Sequence, residues 1–412
     1  MKNRFMKGWF MDLGPMVSSL MRNKTGAILV ALQIAVTLAI VINSLYIIVL
    51  RVEKINRETG IDVQNVIVAY ERGFGENLDQ VDSITNDLKL IKSIPGVVTA
   101  TVSNAVPLSG SGSGTGLRSV ADETIDAVST ARYRWDKEGL DSLGVKLTRG
   151  RNFLPGEVDF ILPESDPPAP PSILVTQDLA DDLFGEEDAL GKTVYWGSME
   201  PSTIVGIIGK MHGSWVGWDK LGNVVIQPGK PARSTNKFII RVEPGMRDEL
   251  MPVIEKALGE SNRSRVVKAV RSLEDMAARS YRSDRGMAII LSIVIALLIG
   301  LTALVIVGLT SFHVTQRTKQ IGTRRALGAR RIDIVRQFIL ENWLITTAGA
   351  VLGTILTVMV AHWLEVSFEL QRLDWRYLPV GIIALWVLSS LAVLEPARRA
   401  ASVPPAVATR SV

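Results

Sequence analysis

The chain has 412 residues, of which 47% are hydrophobic and 21% charged, with a formal net charge of +5 and no cysteine. The missing thiols exclude disulfides, thiolate metal sites and cysteine nucleophiles. Residues 51–285 carry 29 Lys and Arg against 34 Asp and Glu, whereas the remainder carries 17 against 7. The basic charge thus flanks the hydrophobic segments, where anionic lipid and the orientation rule account for it, so membrane lipid and not nucleic acid is the expected partner.

Taken in order, residues 1–25 begin with basic Lys2, Arg4 and Lys7, and an uncharged run occupies 26–50. That run is too long for a signal-peptide core and is expected to stay in the mature protein. Three more uncharged runs lie at 286–312, 342–364 and 377–394, the last being the shortest at 18 residues, with Pro379 near its start. A spanning helix needs ~20 apolar residues, and one central Arg or Asp costs ~2.5–3.5 kcal/mol. Four long stretches without a charge therefore predict four transmembrane helices. The flanks before span one, between spans two and three, and after span four are all basic, whereas the link at 365–376 is net negative. That asymmetry predicts that both termini and the 313–341 link are cytoplasmic, with 51–285 and 365–376 outside.

The 51–285 segment is long enough for its own core and reads as a mixed α/β domain. Strands are expected at 63–70, 97–102, 172–176, 203–208 and 237–242, and helices at 79–94, 178–184, 247–258 and 272–285. The last helix, capped by Ser272, is expected to run straight into span two and to form a stalk with the continuation of span one at 50–57. Two loops interrupt the domain: 109–116 (SGSGSGTG) is flexible by composition, and 163–171 (PESDPPAPP) is stiff and extended.

Residues 185–193, GEEDALGKT, imitate a phosphate-binding loop but have five residues between the glycines where four are needed, and three acids where a triphosphate would sit. A turn leading into a strand at 193–196 is the better reading. His212, His313 and His362 are scattered and offer no metal-ligand spacing. No catalytic constellation, cofactor site or metal site is nominated. Gln33 and Asn43, polar within span one, are candidates for helix–helix contacts.

The most informative stretch is 316–341, QRTKQIGTRRALGARRIDIVRQFILE. Ile321, Leu327, Ile332, Val335 and Ile339 recur at roughly helical spacing among arginines, and Gly322 and Gly328 can act as kinks or caps. This segment resembles the signature of MacB/FtsX-type ABC transporter permeases. Ile321, Gly322, Arg324, Arg325, Ala326, Leu327, Gly328, Ala329 and Glu341 match the family's motif as they stand. Further resemblance lies in 10–24, a cytoplasmic amphipathic lead-in, in 150–153, 183–194 and 205–209 of the outer domain, and in the PARRAA…P stretch at 396–405 of the cytoplasmic tail, 395–412. Gln320, where the family commonly has an acid, and the ending VATRSV depart from the pattern.

The resemblance implies a non-enzymatic permease in the bacterial inner membrane that works by mechanotransmission. A separate cytoplasmic ATPase dimer would bind ATP and Mg and seat on the coupling residues just named. A second permease subunit completes the pair, with a periplasmic adaptor and outer-membrane channel as further partners. Export of small molecules, peptides or lipid-linked cargo is the expected role. Release of lipoproteins and FtsX-like control of a periplasmic cell-wall hydrolase are the alternatives.

Overall fold

A computed structural model describes residues 24–74, 79–162, 168–368 and 371–404. The lead-in at 10–24 lies outside the described residues save for Lys24, as do 163–167 of the proline-rich loop and the tail from 405 onward. Two compact units are present: Met1–Asn56 with Asp284–Val412, and Arg57–Ser283.

Helix α1 (Lys24–Ile55) opens the first unit. The second unit begins with β1 (Val66–Gly73), α2 (Gln80–Ser93) and β2 (Val97–Ser103). Then come β3 (Gly114–Arg118), β4 (Val128–Trp135), α3 (Gly139–Leu143), β5 (Leu147–Gly150) and β6 (Phe160–Ile161). They are followed by β7 (Ser172–Thr176), α4 (Gln177–Phe184), β8 (Thr193–Trp196), β9 (Pro201–Ile208), β10 (Val224–Pro228) and β11 (Lys230–Pro231). The unit ends with β12 (Thr235–Val242), α5 (Arg247–Ser261), β13 (Arg265–Ser272) and α6 (Leu273–Ser280).

One sheet has the order β13-β1-β12-β2, antiparallel throughout. Its two β-α-β halves interleave as a split βαβ pair. Helices α2 and α5 bury Ile84, Leu88, Ile91, Leu250, Ile254 and Leu258 against Ile67, Ala69, Phe238 and Ile240 of the strands. Asp79 starts α2 by accepting from the backbone N–H groups of Val81 and Asp82, the expected N-cap device. Between the two halves lies a larger mixed sheet, β5-β9-β7-β10-β4-β3-β8. In it β8 returns to pair with β9, closing the sheet on itself around Ile173, Val175, Ile204, Ile207 and Val225.

The first unit resumes with α7 (Arg282–Gln316), α8 (Thr318–Ala326), α9 (Arg331–Phe368) and α10 (Tyr377–Ala401). Among the described residues four helices, Thr25–Ile55, Arg282–Gln316, Arg331–Phe368 and Tyr377–Ala401, are long and apolar enough to cross a membrane. At 1.5 Å per residue α7 is about 52 Å long, well beyond the ~30 Å of a hydrocarbon core, so its ends project past the apolar run. Helices α1 and α9 approach closely because Gly349 and Gly353, four apart, carry no side chain. A Cβ on Gly349 would stand 2.8 Å from the carbonyl of Ala31, and one on Gly353 3.0 Å from Ala35. Pro379 falls in the first turn of α10, where its missing N–H costs nothing.

The expected single helix over 272–285 is two helices. Ser272 does cap the first, accepting from Asp275 N–H at 3.1 Å. The helix stops at Ser280, whose hydroxyl donates to the carbonyl of Leu108 at 2.6 Å, and Tyr281 is buried beside it. These contacts fix the chain to the outer domain before α7 starts.

Candidate functional site

The 313–341 link folds as the end of α7, the short helix α8, a tight turn, and the first turns of α9. The turn is built by Gly328 at φ +100°, a left-handed value that favours glycine. Ala329 N–H donates to the carbonyl of Arg324 and Gly328 N–H to that of Arg325, both at 3.1 Å. Those two bonds make a Schellman cap, which satisfies the last carbonyls of α8 and fixes the turn's shape. On the far side Asp333 accepts from Arg330 N–H at 2.9 Å and starts α9.

The apolar residues of this segment do not share one face. Ile321 is 5% exposed and packs with Ile334, Phe338, Ala397, Ala400 and Ala401. Leu327 is 84% exposed and Ile332 66%, so both point away from that cluster. Along a helix the six-residue step from Ile321 to Leu327 turns the chain through about 600°, leaving the two side chains on different faces. Gly322 is buried within α8 and makes no kink, because nothing interrupts the helix there.

Charges brace the same segment. Glu341, 6% exposed, accepts from Arg317 Nη1 at 2.9 and 3.0 Å and from Gln337 Nε2 at 3.1 Å. Arg324 donates to Gln337 Oε1 at 2.6 Å. Arg325 donates to the carbonyl of Ala401, a group at the end of α10 that has no partner within its own helix. The PARRAA stretch is therefore the seat of α8, with Ala397 and Ala400 wholly buried beneath it.

Of the two candidates named in span one, Asn43 reaches another helix. Its Nδ2 donates to the carbonyl of Ala39 at 2.9 Å and to that of Thr357 on α9 at 3.3 Å. Gln33 donates to Thr37 of its own helix at 3.4 Å, one turn on. Thr37 in turn meets another helix, its hydroxyl 2.9 Å from the hydroxyl of Thr302 on α7.

Sequence reasoning missed the opposite ends of α1 and α7. Asp284, in the first turn of α7, accepts from Arg51 Nη1 of α1 at 2.5 Å and stands 3.4 Å from Lys54 Nζ. The signal was opposite charges just beyond two apolar runs. Gly349 and Gly353 were also legible as a G-x-x-x-G spacing.

In the imitation phosphate loop, Gly185 and Gly191 take left-handed turns, and Gly191 N–H donates to the carbonyl of Ile204 at 2.8 Å. Lys192 is paired with Glu187 of the same loop and lies over the Phe184 ring. Among the described residues no group of three or more His, Asp or Glu side chains is placed to hold a metal.

Comparison with known proteins adds the family. Residues 25–257 match the MacB-like periplasmic core domain, and residues 292–405 match the FtsX-like permease C-terminal domain. The macrolide export ATP-binding/permease protein MacB of Neisseria gonorrhoeae is 27% identical over 305 residues, covering 70% of this chain and 43% of that protein. The probable syringafactin export ATP-binding/permease protein SyfD of Pseudomonas syringae pv. tomato is 23% identical over 247 residues, covering 57% and 36%. The chain thus spans less than half the length of these relatives. The periplasmic region of MacB from Actinobacillus actinomycetemcomitans covers 53% of this chain and 94% of its own at 13% identity, with a TM-score of 0.33, too weak a likeness to bear on function. Matched over more than half its length by a periplasmic core domain and again across its last spans, the chain belongs to the MacB/FtsX-like family of ABC transporter permeases.

Proposed function

We propose that this permease transmits the work of a separate ABC ATPase dimer to its outer domain, and that the turn between α8 and α9 is where the ATPase seats. The observation that carries the reading is Leu327: a large apolar side chain, 84% exposed, held on a turn of fixed geometry. Exposed leucines singly are common. This one stands on a capped turn with Ile332, five residues on, also exposed, and exposed Arg324, Arg330 and Arg331 close to it in sequence. An apolar tip on so basic a segment suits a groove with acidic edges. The buried side of α8, through Ile321, Arg325 and the Arg317–Glu341 pair, ties that turn to α7, α9 and α10.

In this account the termini and the coupling turn are cytoplasmic, ATP and Mg belong to the partner, and two permease subunits act together. Motion passes along α1 and α7, which the Arg51–Asp284–Lys54 cluster joins at the outer end. Such transmission needs no polar path through the spans, where ionisable groups would otherwise mark a route. Relatives named for export favour outward transport of small molecules, peptides or lipid-linked cargo, with an adaptor and outer-membrane channel completing the route.

The test is co-purification of the ATPase with tagged permease. Leu327→Ala should release it, because truncating a buried interface anchor costs about 2 kcal/mol or more, whereas Arg330→Ala should change little. Attachment to a lipid surface through the arginines predicts the reverse ranking and a steep loss with salt. Retained ATPase in Leu327→Ala and in Gly328→Trp together would sink the proposal.

A further inference from the structure

The glycine-rich loop at 109–116 has a use that the coupling role leaves untouched. Gly112 and Gly114 are two residues apart and face the indole of Trp215. A Cβ on Gly112 would stand 3.4 Å from the Trp215 ring and 2.5 Å from Ser214 Oγ, and one on Gly114 would stand 3.6 Å from the same ring. The chain therefore presents bare backbone to the ring. Glycine inside a strand commonly marks a place where a ligand or another backbone comes close.

Beside this strip lies an open hollow of about 540 Å³, lined by Gly114, Thr115, Ser129, Trp215, Gly217 and Trp218. Its size falls in the ~300–1,000 Å³ range of small-molecule sites. Trp215 and Trp218 form a corner, with centroids 5.6 Å apart and planes at 82°. Both indoles are only partly buried, in a unit whose surface faces water.

The corner is held in place before any ligand arrives. Ser214 Oγ is 2.8 Å from Tyr133 Oη and 3.0 Å from the carbonyl of Val106, and the Ser214 carbonyl accepts from Gly110 N–H at 2.8 Å. Trp218 N–H donates to the carbonyl of Trp215 at 3.0 Å, and Arg57 Nη2 to that of Val216 at 3.2 Å.

We propose that this hollow binds the uncharged apolar part, a chain or a flat ring, of a small amphipathic molecule. None of the six lining residues is ionisable. A charged group seated there would lose water without gaining a partner, which is costly. Two indoles and the exposed Gly114 line the hollow with largely apolar surface, and the Thr115 and Ser129 hydroxyls supply the few polar groups that orient such a ligand. As a cargo site this rests on the export reading. Binding itself needs no ATPase, so the failure of either claim leaves the other standing.

The test uses the full chain in phosphatidylcholine nanodiscs and a photoreactive diazirine analogue of dodecanol, with labelled peptides mapped by mass spectrometry. Peptides holding residues 112–116 and 215–218 should be labelled well above the exposed face of α2. Exposed Leu297 and Leu304 within the apolar run of α7 serve as an internal standard. Gly114→Leu, which fills the hollow at a backbone angle any residue can adopt, should lower the labelling about tenfold and leave α7 unchanged. Should Gly114→Leu misfold, Trp215→Ala with Trp218→Ala gives the same reading by removing the walls. Unlabelled dodecanol should compete. The proposal is overturned by labelling no higher than on α2, or by labelling that survives the filled and the wall-less hollow alike.

Discussion

Asp284 and Arg51 join the outer ends of α7 and α1 through a 2.5 Å contact, with Lys54 3.4 Å from the other carboxylate oxygen. The Asp284 side chain is 8% exposed and that of Arg51 29%, so the pair is neither a surface ornament nor sealed. Its loss should fall between the ~0–1 kcal/mol of an exposed pair and the ~3–5 kcal/mol of breaking a buried one. Asp284→Asn should lower the thermal midpoint modestly, and Arg51→Asp should lower it more by placing two carboxylates together. Combining Arg51→Asp with Asp284→Arg should recover much of the difference. If the double variant is no better than Arg51→Asp alone, the two residues do not act as a pair.

The α1–α9 contact allows a second prediction. Gly349→Leu should destabilise the first unit by about 1–3 kcal/mol or disrupt its packing, since extra atoms in a close-packed contact force the backbones apart. Gly308→Leu on α7 meets nothing within 4 Å and should be tolerated. Thermal unfolding of the two purified variants in one detergent checks the ranking. Equal stability would remove close helix approach as the reason for Gly349.

Much of this was legible from the residues. The continuous apolar run at Ser172–Thr176 gave a strand with the expected ends, and Asp79 and Ser272 gave two helix starts. β4 and β13 were not found, because arginines and small polar residues break their pattern. In β4 the sheet buries Tyr133 and Trp135 while Arg134 pairs with Gln227. The 316–341 segment reads as one amphipathic stretch, whereas its apolar residues lie on different faces. Ile321 and Leu327 look alike in sequence, and only the Gly328 cap and the seat on α10 decide which of them is buried.

His212 ties stability of the outer domain to pH. It is 4% exposed, its Nδ1 has no hydrogen-bond partner, and burial first, then the charges of Arg57 and Lys210, lower its pKa to about 4. The unfolded chain, with a histidine near 6.5, binds the proton more readily than the folded one. Stability is therefore complete above about pH 6.5, falls as the pH drops toward 4, and levels off below it. The loss is at most roughly 3 kcal/mol. Urea unfolding followed by fluorescence between pH 7.5 and pH 4 should show this slope, and His212→Gln should flatten it. An unchanged slope in His212→Gln assigns the pH dependence to other groups.

Ile321 and Leu327 should separate folding from coupling. Ile321 is 5% exposed among Ile334, Phe338 and the alanines of α10, so Ile321→Ala leaves a cavity and should cost about 2–5 kcal/mol. That variant should lower the thermal midpoint, and hydrogen exchange across 318–326 should quicken as α8 lifts from its seat. Leu327 touches none of that cluster, so Leu327→Ala should leave the midpoint and the exchange pattern unchanged. Only ATPase retention and transport-linked hydrolysis should fall. Both quantities are measurable on the same preparations, so the contrast does not depend on expression level. A Leu327→Ala protein that loses stability as Ile321→Ala does would mean that the leucine packs inward, and the turn would then present no apolar anchor to a partner.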